Sequence, residues 1–319
     1  MFAGVELGIF DHLEGAPASA AALAHAIHTA AEPLERMLDA CVSLGLLSKQ
    51  DNRYANEPIA TAYLCEASPN TLAGYILYSN RMLFALWAHL EDAVREGGPR
   101  WKQTFDKDGA IFDHFFQTQE SMQTFLKGMH GFGLLSSPKV VSAFDLSRFH
   151  RLVDVGGATG HLAVAACERY PNLHAVLFDL PHVIEAASAA IRLSPAASRI
   201  QLASGDFFLD DLPDADLFAV SRILHDWGDE KIHELLRKIF VRLPPGGAVL
   251  ISEKLLNEGK TGPTSTHMQS LNMLVCTEGK ERTLSEYREL LEAAGFQNVQ
   301  GRVTGSPLDV VLAFKGPSA

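Results

Sequence analysis

The chain has no apolar run of about 18 residues, the length a membrane-spanning helix requires, so a transmembrane anchor is not expected. Its start, Met-Phe-Ala-Gly-Val-Glu, has neither the basic opening nor the apolar block of a secretory signal. Cysteine is scarce: Cys41, Cys65, Cys167 and Cys276 stand far apart, with no CxxC pair. That spacing argues against a disulfide framework and against a zinc site. It reads as reduced thiols in a cytoplasmic protein without a metal. Basic charge is short as well. Lys and Arg number 27 against 38 Asp and Glu, a net charge of −11, which disfavours nucleic acid as a partner. There is no internal repeat and no low-complexity tract. What is present is a chain of 319 residues, 47% hydrophobic, enough for a large core and for two domains.

The most informative stretch is residues 151–160, Arg-Leu-Val-Asp-Val-Gly-Gly-Ala-Thr-Gly. An apolar run ends in an acid and breaks into glycines, the form of a buried parallel strand delivering its C-terminal end to a ligand. Gly156, Gly157 and Gly160 allow close backbone approach, and Asp154 offers an acceptor. A helix is expected from Leu162 to Tyr170, then a second strand from His174 to Phe178 that ends at Asp179. An acid about 20 residues past a glycine turn is the expected partner of ribose hydroxyls. A third strand, Arg199–Ala203, leads into Gly205-Asp206-Phe207-Phe208. Acids after successive strands in this order point to a sheet that binds a nucleoside.

Upstream, the sequence reads as helical, with a division expected near Ser142–Phe149. Short helices are expected over Gly8–Leu13, Ser19–His28 and Pro33–Gly45. A hairpin follows, turning at Gln50-Asp51-Asn52-Arg53. Three helices and a hairpin form a winged-helix pattern. Glu32, Glu35 and Asp39 on the would-be recognition helix would repel phosphate, so a structural or dimerising role is favoured over DNA binding. From Thr71 to Leu135, longer helices rich in Met and aromatics are expected, Met129 and Phe116 among them. They serve either as helix-packing core or as the wall of an apolar pocket.

The chemistry is expected after a fourth strand, Asp216–Ile223, which runs into Leu224-His225-Asp226-Trp227. His225 can accept a proton near neutral pH and release it again. A fifth strand, Ala248–Ser252, ends at Glu253, and Glu281 precedes a capping box, Thr283 to Glu286. A carboxylate on one imidazole nitrogen would orient the ring and stabilise the imidazolium. Either Glu253 or Glu281 could do this if the fold brings it to His225; Glu286 is explained as a cap.

These motifs, with Ser270-Leu271-Asn272-Met273-Leu274-Val275 and Thr277-Glu278-Gly279-Lys280-Glu281-Arg282, occur in one order along the chain. Together they resemble the S-adenosylmethionine-dependent O-methyltransferases of the caffeate and hydroxyindole type. The resemblance covers nearly the whole chain. It implies an α/β fold: a Rossmann-like, seven-stranded class I methyltransferase domain over residues 145–319, preceded by a mainly helical, winged-helix-like dimerisation domain over 1–100 and a helical connector over 101–144. It implies S-adenosylmethionine as cofactor, no metal, a small aromatic hydroxyl acceptor and a homodimer; the chain begins after a leading helical segment of its relatives.

Residue roles follow from the same resemblance. Asp154, Gly156, Gly157 and Gly160 would shape the methionine end of the cofactor site, and Asp179 would bind ribose. Gly205, Asp206 and Phe207 would hold adenine, with Arg222 and Phe116 also on the cofactor. His225 would be the base, flanked by Glu253 and Glu281. Asp226, Asn272, Cys276 and Met129 would meet the acceptor. Ala158 stands where many relatives have glycine, and Cys276 replaces a substrate-contacting Gln. Phe116 and Gly133 fall where hydroxyindole relatives place Tyr and Trp. Two other readings stay open: a catalytically silent relative that kept the sheet, and an NAD-dependent oxidoreductase.

Overall fold

The computed structural model describes residues 1–109, 112, 115, 116 and 118–316. Residues 110, 111, 113, 114 and 117 of the expected connector, and 317–319 at the end of the expected methyltransferase domain, lie outside the described residues. The chain divides into two compact units, Met1–Ala85 with Thr118–Phe132, and Leu86–Gln117 with Gly133–Ala319.

In the first unit, the local sequence keeps the helices short. Gly8, left-handed at φ 68°, separates Phe2–Glu6 from Ile9–His12. The Ser19 hydroxyl accepts from Ala22 N and starts Ala20–Ala26, and Ala31–Ser43 follows. The hairpin forms as β2 (Leu47–Gln50) and β3 (Arg53–Asn56), with β1 (Ala18–Ser19) added along β3. Asp51 and Asn52 both take positive φ, 48° and 58°, the geometry that a two-residue hairpin turn demands. Ile9, Phe10, Leu38, Leu47 and Tyr54 form the buried centre. The Tyr54 hydroxyl donates to Asp39 at 2.7 Å.

Between Thr71 and Leu135 the structure shows two longer helical runs, 73–87 and Gln119–Ser142, with short helices between them. Ala73–Tyr78 passes through a π turn at Ser79–Leu83 into Phe84–Trp87, and Leu90–Glu96 stops where Gly97 and Gly98 take positive φ. Trp101–Phe105 is a further short helix, whereas Gln119–Ser142 is long. Within the first unit, glycines on the long helix allow backbones to touch: a Cβ at Gly131 would overlap the Thr71 carbonyl, and one at Gly128 would lie 3.2 Å from Tyr75 Cα.

The second unit is built on a seven-stranded sheet of β4 (Arg151–Val155), β5 (His174–Asp179), β6 (Ile200–Ser204), β7 (Leu217–Ser221), β8 (Ala248–Glu253), β11 (Gln297–Arg302) and β12 (Asp309–Phe314). Their order is β11-β12-β8-β7-β4-β5-β6. The pairs among β4 to β8 are parallel; β12 runs antiparallel to β8, and β11 to β12. Interior strands are apolar and buried, as a sheet covered on both faces requires. Asp229–Arg242 buries Ile232, Leu235, Leu236 and Ile239 along one stripe, with acids in its first turn and Arg242 in its last. The strand order reverses between β4 and β7, and the crevice beyond their C-terminal ends is where such sheets bind ligands.

A second, minute sheet matters more than its size suggests. β9 (Leu255–Leu256) and β10 (Arg282–Thr283) pair in parallel, Leu255 opposite Arg282. β10 directly follows Glu281, and β9 begins two residues past Glu253.

Overpacking between backbones typically costs about 1–3 kcal/mol. Gly131→Ala is therefore expected to destabilise the protein by about that amount, read as a lower denaturant midpoint with unchanged slope. An unchanged midpoint would contradict the close approach to Thr71.

Candidate active site

The glycine turn lies at the end of β4. Asp154 is buried, with Oδ2 accepting from Ala163 N at 3.2 Å and Oδ1 buried without a hydrogen-bond partner. Gly157 makes room for this carboxyl: an added Cβ would stand 2.6 Å from Asp154 Cγ and 2.5 Å from Leu177 Cδ1. At Gly156, φ 63°, a Cβ would meet Ile223 at 2.6 Å, and Phe207 lies nearby. Gly160, φ 78°, caps the helix His161–Arg169. Ala158 also adopts a left-handed φ of 49°. A non-glycine residue held there is strained by about 1–2 kcal/mol. Its N–H donates to Asp179 Oδ2 at 2.8 Å, and Leu180 N donates to Oδ1 at 2.7 Å. The strained residue thus ties the turn to the acid ending β5.

Burial pushes Asp154 up to about 7 and Asp179 to about 6, in spite of these backbone donors. Beyond β6, Gly205 fits against the Phe178 ring, and Asp206 Oδ1 accepts from Phe208 N at 2.8 Å. Phe207 and Phe208 pack with ring centres 4.7 Å apart. Phe116 sets its ring edge-on to His182 at 4.9 Å, three residues past Asp179.

Gly133 has a visible reason for lacking a side chain: a Cβ there would overlap the His161 ring. His161 Nδ1 bonds Ser137 Oγ at 2.8 Å, so imidazole from the glycine turn fills the space above Gly133. Met129 lies on the part of the long helix that belongs to the first unit.

After β7, residues Leu224–Asp226 form one 3-10 turn that carries His225, buried at 2% exposure. Its Nδ1 lies 2.7 Å from Glu281 Oε1 and 3.5 Å from Glu253 Oε2, whereas Nε2 lies 3.8 Å from Asp226 Oδ1. The glutamates therefore converge on one nitrogen, but with different duties. Glu253 Oε1 accepts from Ile223 N and Leu224 N, both at 2.9 Å, and so anchors the turn to the end of β8. Glu281 holds the ring directly. Burial pushes both glutamates to about 7, and it raises Asp226 as well. Arg222, left-handed at φ 55°, bonds Ser252 O through its N–H, and its charge bears on all three acids. The atoms of His225, Glu253 and Glu281 lie within 4.8 Å of one another, close enough for a cation as well as for hydrogen bonding.

Sequence reasoning missed what holds this turn in place. The buried Arg282 guanidinium donates to Leu224 O and Trp227 O, both at 3.3 Å, to Lys280 O at 3.1 Å and to Asp229 Oδ1 at 2.7 Å. It closes the His225 turn from both ends. Gly279 lies flush against the His225 and Asp226 backbone, where a Cβ would overlap the His225 carbonyl. The signal available was an Arg and a Gly flanking Glu281, without any indication of their target.

Of the residues expected to meet the acceptor, Asn272 and Cys276 stand on the helix Thr264–Cys276, Asp226 follows His225, and Met129 lies on the long helix. Asn272 Oδ1 accepts from Trp87 Nε1 at 2.9 Å, and the Cys276 carbonyl accepts from Trp101 Nε1 at 2.7 Å. Cys276 is buried and close enough to Asp226 for that charge to add to the burial that raises its thiol.

A family described as the O-methyltransferase domain matches residues 87–297, and one described as the O-methyltransferase dimerisation domain matches residues 1–66. The chain is 42% identical to acetylserotonin O-methyltransferase of Gallus gallus over 99% of its own length and 93% of the relative's. It is also 42% identical to a probable bifunctional dTTP/UTP pyrophosphatase/methyltransferase protein of Homo sapiens, covering 97% of this chain but 50% of that one. The crystal structure of human N-acetylserotonin methyltransferase in complex with SAM superposes with a TM-score of 0.95 at 38% identity, over 99% of this chain and 92% of that one.

Two expectations follow. Arg282→Met would remove the donor to the buried Trp227 carbonyl, one of two donors to Leu224 O and the tie to Lys280 O and Asp229, and the loss of a buried partner costs about 1–3 kcal/mol. The variant is expected to lose at least about 2 kcal/mol by denaturant unfolding; a loss within error would show that the clamp is idle. For Asp154 and Asp179, the folded values lie above the unfolded ones near 4. Their contribution is fully present below about pH 4 and disappears as pH rises through 6 to 7. The cofactor-free protein should thus have a lower Tm at pH 8 than at pH 5, with a smaller drop in Asp154→Asn. A drop of equal size in that variant would remove Asp154 from the account.

Proposed function

The chain belongs to the S-adenosylmethionine-dependent O-methyltransferases, and from that membership we propose that it methylates the hydroxyl of a small aromatic acceptor, with His225 as the general base. A hydroxyindole of the acetylserotonin kind is the first acceptor to consider, because the similar vertebrate proteins carry that name. Other phenols, including polyketide-like ones, come second. The observation that carries the reading is the buried His225 with both glutamates on Nδ1, which leaves Nε2 to take a proton.

The residues at the crevice fit the cofactor. Asp154 Oδ1 is a buried acceptor without a partner, suited to a cationic or N–H donor group such as the amino end of the methionine moiety. Gly156, Gly157 and Gly160 let Ile223, Leu177 and Ile191 close on the turn and so fix its path beside Asp154, and Asp179 would take the ribose hydroxyls. Gly205, Asp206 and Phe207 would border the adenine, with Phe116 and Arg222 also turned to the cofactor. Bound S-adenosylmethionine supplies a methyl group activated by its sulfonium charge.

The chain's own task is to orient the acceptor and manage one proton. A phenol near pKa 10 is mostly protonated at neutral pH and is a poor nucleophile. His225 Nε2 receives that proton while Nδ1–H donates to Glu281, so the imidazolium forms beside a carboxylate already 2.7 Å away. Glu253 keeps the turn in register, as the paired N–H donors of Ile223 and Leu224 require. Asp226, Asn272, Cys276 and Met129 would contact the acceptor, and the reaction runs without a metal. We assign cofactor binding to residues 145–319, pairing into a homodimer to residues 1–100, and part of the acceptor wall to Phe112 and Phe116 of residues 101–144. The dimerisation match over residues 1–66 supports the pairing.

The test is methyl transfer from labelled S-adenosylmethionine to a panel of hydroxyindoles, catechols, flavonoids and polyketide phenols, with and without a chelator. Turnover unaffected by chelation is expected. In His225→Ala, kcat should fall by about 10²–10⁴-fold while cofactor Kd stays nearly unchanged. Full turnover in that variant would sink the assignment of the base, and loss on chelation would sink the metal-free mechanism.

A further inference from the structure

The loop Gly205-Asp206-Phe207-Phe208, to which the adenine is assigned above, folds back on itself, and its N–H groups can be accounted for one by one. Gly205 N donates to Asp179 O at 2.9 Å, and Asp206 N to Asp210 Oδ2 at 2.8 Å. Phe208 N donates to Asp206 Oδ1 at 2.8 Å, while Leu209 N and Asp210 N both reach Asp206 O. From residue 205 to 210, the Phe207 N–H is thus the one without a bond among the described residues. Asp206 Oδ2 is likewise unspent there.

The carbonyls of the two phenylalanines are held from behind. Lys238, half-buried on the helix Asp229–Arg242, donates from Nζ to Phe207 O at 3.0 Å and to Phe208 O at 3.1 Å. It lines one groove with Asp211, Glu230 and Glu234, yet none of these acids draws it into an ion pair among the described residues. A lysine ordinarily keeps its head in water; here the ammonium is committed to two backbone carbonyls. On the side of the His225 turn, the Phe208 ring meets Trp227 edge-on at 5.1 Å.

Peptide planarity carries this grip forward. A carbonyl held toward Lys238 points the N–H of the same peptide the opposite way. The Phe207 carbonyl therefore sets the Phe208 N–H, and that N–H holds Asp206 Oδ1 and so orients the carboxylate.

We propose that Lys238 is a positioning residue for base recognition: by holding the Phe207 and Phe208 carbonyls it fixes Phe207 N–H and Asp206 Oδ2, a donor and an acceptor on adjoining residues. Adenine matches that pair with a ring nitrogen that accepts and an exocyclic amine that donates. Hypoxanthine carries N–H and C=O at those two places and reverses both. A site built to hydrogen-bond one pattern discriminates strongly against the other, because its own polar atoms are then left unpaired. The inference rests on the assignment of this loop to the adenine.

Calorimetry on the full chain compares S-adenosylhomocysteine with S-inosylhomocysteine, its deaminated analogue. The wild type is expected to prefer the adenine form by about tenfold or more. In Lys238→Met the Kd for S-adenosylhomocysteine should rise by about tenfold, and the preference should shrink toward one. Lys238→Arg, which keeps a cationic donor, should retain the preference. The inference is overturned if Lys238→Met binds both ligands as the wild type does, or weakens both by the same factor. It is overturned as well if Lys238→Arg loses as much preference as Lys238→Met. Equal wild-type affinities would instead bring down the assignment of the loop to adenine, and this inference with it.

Discussion

A carboxylate buried against an imidazole persists only when the fold forces the two together, since each charged group loses its water. The 2.7 Å contact between His225 Nδ1 and Glu281 is of this kind, and the elements around it are arranged to impose it. β7 delivers the histidine, β8 ends in Glu253 to hold the turn by its N–H groups, and the short β9–β10 ribbon draws Glu281 in from the far side. Arg282 then closes the turn over the pair. The cofactor end of the crevice depends far less on distant residues: Asp154, Ala158 and Asp179 are joined through two adjacent parallel strands.

That contrast explains what the sequence made legible. The strands, the glycine turn and the acids ending successive strands are encoded by local patterning, and the structure shows them within a residue or two of the expected bounds. The capping box at Thr283 and Glu286 is local too, and it forms with both its bonds. The meeting of Glu281 with His225 was left open because it spans 56 residues and depends on a ribbon with two residues in each strand. Trp87 and Asn272, separated by 185 residues, carry no sequence pattern that would pair them. In the aromatic-rich middle of the chain, longer helical runs form over 73–87 and Gln119–Ser142, but periodicity does not register the π turn at Ser79–Leu83.

The departures from the family pattern are compensated locally. Ala158 accepts a conformation that glycine would take without strain, and its N–H is bound by Asp179, which keeps the turn closed. Gly133 lacks a side chain because His161 supplies one from the neighbouring element. Such positions are where related enzymes can diverge in ligand preference without altering their fold.

The place of β12 in the sheet has a consequence for the order of synthesis. β12 lies between β8 and β11, and Asp309 pairs with Glu253 at the very end of β8 while also accepting from Leu255 N. The strand that bears one of the two glutamates therefore has an open edge until residues 309–314 have been made. The glycine turn draws on β4 and β5, whereas the setting of Glu253 draws on the strand that is last in chain order. The two ends of the crevice are therefore fixed by segments that stand far apart in the chain.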